Sequence, residues 1–144
     1  MALNINPDKY VRKAVFDMVN DSVVSGKTIK VFDSRVTGNK NLTEYVLMSS
    51  QSKDVLKNTK CNYEWETSLL IEIYTRFPSA GNTGSRVLLN DIEEHVFNLL
   101  NNDFVVDSFS IVIKTVTNEY SGLETVTDAE NIYRSFLRLN LILR

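Results

Sequence analysis

The chain opens on a helical stripe. Val11, Ala14, Val15, Met18 and Val19 recur at three- and four-residue spacing, while Lys9, Arg12, Lys13 and Asp17 fall mostly off that face. Asn6-Pro7 stands just ahead, an N-cap followed by a proline at the first helical position, where its missing N–H is not needed. Asp8 adds a negative charge near the positive end of the helix. Asp21, Ser22, Ser25 and Gly26 are read as the end of this element.

The pattern then changes period. Residues 29–33 form a short β-branched run and predict a strand, 34–41 with Gly38-Asn39 a turn-rich loop, and 44–50 a second strand. Residues 51–60 are polar, carry three lysines and predict a loop. Residues 62–76 alternate strictly. Tyr63, Trp65, Thr67, Leu69, Ile71 and Ile73 share one face; Glu64, Glu66, Ser68, Leu70, Glu72 and Tyr74 share the other. That strand is about twice the usual length, so it is expected to bend or to project from the body of the domain.

After a breaker loop at 77–84, residues 85–100 predict a second helix with a stripe of Leu88, Ile92, Val96, Leu99 and Leu100. Residues 104–117 predict a strand, best defined at Phe109, Ile111 and Ile113. Residues 118–131 are polar and predict a long loop or an extended hairpin. The last strand, 132–143, sets Tyr133, Leu137, Leu139, Leu141 and Leu143 against Arg134, Phe136, Arg138, Asn140 and Ile142. The order is α-β-β-β-α-β-β. It predicts an α+β domain over residues 1–144, with a mostly antiparallel sheet and two helices packed on one face.

Composition narrows the chemistry. The chain has 144 residues, 43% hydrophobic and 24% charged, and a net charge of −2. These values fit a globular domain and carry no polyanion-binding footprint. No apolar run approaches the roughly 20 residues of a membrane span, and the N-terminus lacks the basic start and apolar run of a secretory signal. Synthesis in a reducing cytoplasm is the expectation. One Cys, Cys61, and one His, His95, leave little for metal or nucleophile chemistry.

Three local features resemble sites and have simpler readings. Gly81-Asn82-Thr83-Gly84-Ser85-Arg86 lies between a strand and a helix, but it lacks the lysine and the spacing of a phosphate loop and reads as a turn with a helix cap. His95, four residues after Asp91, reads as half of a surface pair. Cys61 adjoins Lys60 and has no histidine near it in sequence. No catalytic residue, metal ligand or cofactor site is assigned, and the chain is expected not to be an enzyme.

The alternating strands carry the positive expectation. Glu64, Glu66 and Glu72 on one strand and Arg134 and Arg138 on another should lie on the face away from the helices, where neighbouring opposite charges would support each other. Leu70, Tyr74, Phe136 and Ile142 share that face. Large apolar groups on a face that should be wet predict partial burial by another subunit. Leu70, Tyr74, Arg134, Phe136, Arg138 and Ile142 are therefore the candidate assembly contacts.

The whole succession resembles the tail-completion or tail-terminator (head–tail joining) proteins of tailed bacteriophages. It runs from Asp8-Lys9-Tyr10-Val11-Arg12-Lys13-Ala14-Val15-Phe16-Asp17 through Ile29-Lys30-Val31-Phe32-Asp33 and Tyr45-Val46-Leu47-Met48. It continues with the long strand from Tyr63 to Tyr74 and the helix after it, and closes on Arg134-Ser135-Phe136-Leu137-Arg138-Leu139-Asn140-Leu141. The resemblance implies a non-enzymatic virion protein without cofactors, a homo-oligomer forming a hexameric ring at the head–tail junction. Its implied partners are the tail-tube protein and the head-side connector or adaptor. Genomic double-stranded DNA would pass through the lumen without specific binding, with Glu64, Glu66 and Glu72 as candidate lumen-facing residues. The resemblance implies no membrane partner. Two other readings stay open at this point: another neck or connector ring protein, and a small cytoplasmic enzyme or ligand-binding domain.

Overall fold

The computed structural model describes residues 6–33, 43–59, 62–78, 85–110, 112–126 and 130–144. Helix α1 (Pro7–Val19) forms where the stripe places it, and Asn6 Oδ1 accepts the Asp8 N–H at 3.1 Å. Val11, Val15 and Val19 are buried, with Ala14 and Met18 packed beside them. The helix ends at Asn20, whose N–H reaches the Phe16 carbonyl at 2.9 Å, and Asp21 turns the chain with a φ of 64°. Aspartate tolerates that left-handed conformation better than most residues.

A hairpin follows that the apolar pattern does not announce. Strands β1 (Ser22–Val24) and β2 (Lys27–Asp33) pair antiparallel across Ser25-Gly26. These two residues have φ values of 50° and 77°, which is what a two-residue type I′ turn requires. Three residues are too few to show a period, so in the sequence β1 is not separable from the end of the helix.

Strands β3 (Glu44–Thr59) and β4 (Asn62–Pro78) form a long antiparallel hairpin. The polar stretch expected to be a loop is strand up to Thr59, because pairing with β4 outweighs its composition. A register shift between Met48 and Gln51 marks a bulge in β3. Arg12 binds it from α1: Nη2 donates to Ser49 O at 2.7 Å, Nε to Gln51 Oε1 at 2.8 Å and Nη1 to Met48 O at 3.4 Å, with Asp33 as ion partner.

Helix α2 (Ser85–Asn101) buries Leu88, Leu89, Ile92, Val96 and Leu100. The strand expected at 104–117 starts later. Ser108 has a φ of 72°, and Phe109 N–H closes a turn on Val106 O at 3.1 Å, so Val106 and Phe109 are buried from a turn. Strand β5 (Val112–Val126) then runs through the polar segment and pairs with β6 (Glu130–Leu143), which is the extended-hairpin alternative. The loop expected at 77–84 is corrected at its start, where Phe77 and Pro78 still pair with β6 as the end of β4; its remainder, 79–84, and the loop expected at 34–41 lie outside the described residues, as do Lys60, Cys61 and Ile111.

The architecture is mixed α/β: a curled six-stranded sheet in the order β1-β2-β3-β4-β6-β5, with two helices. All neighbours run antiparallel except β2 and β3, which run parallel with Lys30 beside Tyr45 and Asp33 beside Met48. The expected antiparallel character is corrected at that pair. Alternation fixes which residues face the core and says nothing of strand direction; here the β1 turn sends β2 the same way as β3. Helix α1 packs on β2, β3 and β4, and α2 on β4, β5 and β6. Beneath them Val46, Met48, Leu69, Ile71, Ile73, Leu137, Leu139, Leu141 and Leu143 are buried on one side of the sheet.

Candidate functional site

The sheet's other side carries the residues that alternate with this core. The registers align them in rows across the strands. One row is Lys30, Tyr45, Tyr74, Arg134 and Gly122; the next is Phe32, Leu47, Glu72, Phe136 and Tyr120. Farther along lie Leu70, Arg138 and Thr117, then Ser52, Ser68, Asn140 and Thr115, then Asp54, Glu66, Ile142 and Ile113.

The first two rows make a continuous aromatic and guanidinium ladder over five strands. Phe32 meets Tyr45 edge-on at 6.2 Å, and Tyr45 stacks on Tyr74 at 5.0 Å. Arg134 lies 6.0 Å from the Tyr74 ring centre and 4.3 Å from that of Phe136, and Tyr120 packs against Phe136 at 5.9 Å. Gly122 makes room for the Tyr120 ring, whose hydroxyl lies 3.0 Å from where a Cβ would stand. Most of these side chains are half-buried. Offset and edge-on ring contacts each add roughly 0.5–1.5 kcal/mol beyond area burial, so the ladder stiffens the sheet as well as presenting a surface.

The charges are largely neutralised within the subunit. The Tyr74 hydroxyl donates to Glu72 Oε1 at 2.7 Å, and Arg134 Nη1 stands 3.9 Å from the same carboxylate and 3.4 Å from the Tyr74 oxygen. Burial pushes the Tyr74 phenol well above its ordinary value; the Arg134 hydrogen bond opposes this and Glu72 reinforces it. Arg144 Nε meets Glu64 at 3.2 Å. Arg138 turns to Glu119 on β5 at 3.0 Å and donates to Ser68 Oγ at 2.8 Å. A basic, aromatic nucleic-acid platform needs its cations for phosphates; here Arg134, Arg138 and Arg144 each face a carboxylate.

The six candidate contacts thus share one face. Tyr74, Arg134 and Phe136 touch within the ladder, Leu70 lies opposite Arg138, and Ile142 lies opposite Glu66. The three glutamates do not stand alike. Glu64 and Glu72 are 6% and 9% exposed beneath their arginines, whereas Glu66 is open to solvent. The face was expected to meet solvent or a partner; within the subunit, Arg134 of β6 and the last residue, Arg144, lie close enough to cover two of its carboxylates. Phe32, Tyr45, Glu119 and Tyr120 join the face beyond the residues expected there. Phe32 and Tyr45 were legible as large residues out of phase with Val31 and Val46; Glu119 and Tyr120 sat in a segment whose pairing was not.

Among the described residues no group of three or more His, Cys, Asp or Glu could hold a metal. A groove of about 230 Å³ between α1 and residues 104–107 is lined by Tyr10, Lys13, Ala14, Asp17, Met18, Phe104, Val105 and Asp107. It is open and lacks convergent buried polar groups. Among the described residues no helix is long and apolar enough to cross a membrane.

No protein-family model matches the chain. No curated protein sequence matches it either. Among solved structures, the fold is similar to that of a chain in the virion of a native gene transfer agent particle. The two are 11% identical with a TM-score of 0.52, over 94% of this chain and 91% of that one. Such a likeness defines a fold shared from end to end.

Proposed function

We propose that the chain is a non-enzymatic structural subunit of a phage-like virion, acting as a ring, most simply a hexamer, at the head–tail junction. The observation that carries this reading is the end-to-end likeness to a chain of a gene transfer agent virion, at 94% and 91% coverage. The open sheet face supports it. A half-buried ladder of Phe32, Tyr45, Tyr74, Arg134, Phe136 and Tyr120 is apolar surface that a neighbouring subunit or tail component would cover. In this reading the ring ends tail growth and offers a docking surface to the head-side connector. Copies joined head to tail, by a rotation that closes, give a ring and not a filament. Of the candidates Glu64, Glu66 and Glu72, the solvent-open Glu66 would be the one to face a lumen through which DNA passes without being held, since a basic lining would retain phosphates.

Mass photometry on the purified protein, alone and with purified tail tubes, tests the proposal. Rings of uniform subunit number, or rings capping the tubes, are expected. A strict monomer at high concentration that leaves the tubes uncapped overturns it. Electron microscopy of assembled particles separates the junction from another neck position by the symmetry and location of the ring.

A further inference from the structure

The two sides of the sheet end differently along its length. At the rows of Tyr45 and Leu47, β2 covers β3, and β2 is itself guarded: β1 pairs with its first residues, Asp21 N–H donates to Ile29 O at 2.9 Å, and Asn20 Oδ1 accepts the Val31 N–H at 3.1 Å. Past Met48 no described strand covers β3, which continues as Gln51 to Val55. On the far side β5 ends the sheet order. Its second half is interrupted by register shifts at Asn118/Tyr120 and Leu123/Thr125, irregularities of the kind that twist an edge away from partners. Its first half, Val112 to Thr117, is regular and, Lys114 apart, β-branched.

Among the described residues, the edges left without a strand partner therefore lie at the same level. Ser52 on β3, Ser68 on β4, Asn140 on β6 and Thr115 on β5 form one row, and both its ends are exposed. The lysines that would ordinarily guard such edges are turned toward other parts of the subunit. Lys53 binds Asp8 of α1 at 2.7 Å, and Lys114 reaches Asn102 O and lies 4.9 Å from the Phe104 ring centre. Two unlike edge stretches at one level, neither paired to another strand among the described residues, suit a head-to-tail contact: a closed ring has no axial rise, so equal levels meet.

We propose that Val112–Thr117 of one copy pairs with Gln51–Val55 of a second copy, joining their sheets edge to edge. The inference rests on the ring reading above and specifies its interface. The strand directions fit. Strand β3 is antiparallel to β4, β4 to β6 and β6 to β5, so β3 and β5 run oppositely in one subunit. Rotation about an axis along the strands preserves that relation, and the new pair is antiparallel. Main-chain hydrogen bonds supply the affinity and the row alignment sets the register, with Thr115 meeting Ser52.

Cysteine cross-linking tests the pairing. In full-length Cys61→Ser protein, Ser52→Cys, Asp54→Cys and Thr115→Cys are made singly, all at exposed positions. Facing residues of an antiparallel pair lie at Cα distances of roughly 4.5–5.5 Å, within disulfide reach. Mixing Thr115→Cys with Ser52→Cys, or with Asp54→Cys if strand tilt shifts the register by two, should give a covalent dimer on mild oxidation. None of the three variants should give one alone. Rings seen by mass photometry without either mixed cross-link overturn the edge pairing and leave the ring standing. A cross-link of Thr115→Cys with itself overturns it in favour of a two-fold β5–β5 contact. A chain that neither oligomerises nor cross-links overturns both.

Discussion

At the scale of single residues, the open face pairs Arg134, Arg138 and Arg144 with carboxylates, at unequal depth. Glu72 is 9% exposed and its partner Arg134 also lies against the Phe136 ring, whereas Glu119, the partner of Arg138, is 42% exposed at its side chain. Removing one member of a covered pair strands the other, while an exposed pair contributes little. Arg134→Ala should therefore cost about 2 kcal/mol in urea denaturation, and Arg138→Ala under about 1 kcal/mol. Equal losses would show that Glu72 is hydrated in spite of its burial.

Tyr74 adds a pH signature. Its phenol titrates above the ordinary value of 10.0 in the folded chain, mainly through burial. The neutral form is thus favoured by folding. Its contribution is fully present below pH 10 and is lost as pH rises through the folded pKa, because the unfolded chain ionises first. Thermal melts from pH 8 upward should fall more steeply for the native chain than for Tyr74→Phe above about pH 10. Parallel curves would place Tyr74 in open water.

At the scale of elements, much of the fold was legible. The stripes of α1 and α2 and the alternation of β4 and β6 each bury a face against the core, and periodicity reports such burial directly. Some of what the pattern hides is local and too short to show a period, as in β1; the rest is held by contacts distant in sequence. Gln51 to Thr59 looks like a loop because its strand character comes from β4 and its bend from Arg12. The ladder was half legible, since Tyr74, Arg134 and Phe136 sit on cleanly alternating strands while Tyr120 sits beside a bulge. Two variants test these devices. Arg12→Ala should remove roughly 2 kcal/mol and speed amide exchange in β3 beyond the bulge, since it unties the carbonyls of Met48 and Ser49. Gly26→Ala meets no atom within 4 Å, so its expected loss of about 1 kcal/mol in urea denaturation reports only the φ of 77° at the β1–β2 turn. A neutral Gly26→Ala would mean that the turn is not held in its type I′ form.

At the scale of the whole molecule, the helices cover one side of the sheet, and the proposed ring would cover part of the rest. That division ties stability to concentration. If copies associate only when folded, mass action adds to the stability of the folded chain, and the melting temperature rises with protein concentration. A fixed monomer shows no such rise. Ile113 separates the two cases, because it is 48% exposed at the row of Glu66 and Ile142 and contributes little to its own core. Ile113→Asp should leave the melting temperature at the lowest concentration within a degree or two of the native chain, given the small effect of most surface substitutions. It should also flatten the concentration dependence, because a carboxylate would then sit where a second copy must exclude water. Differential scanning calorimetry over a hundredfold dilution reads both terms. A native chain whose melting temperature ignores dilution would remove the linkage, and with it the reason for a half-apolar face on the open side of the sheet.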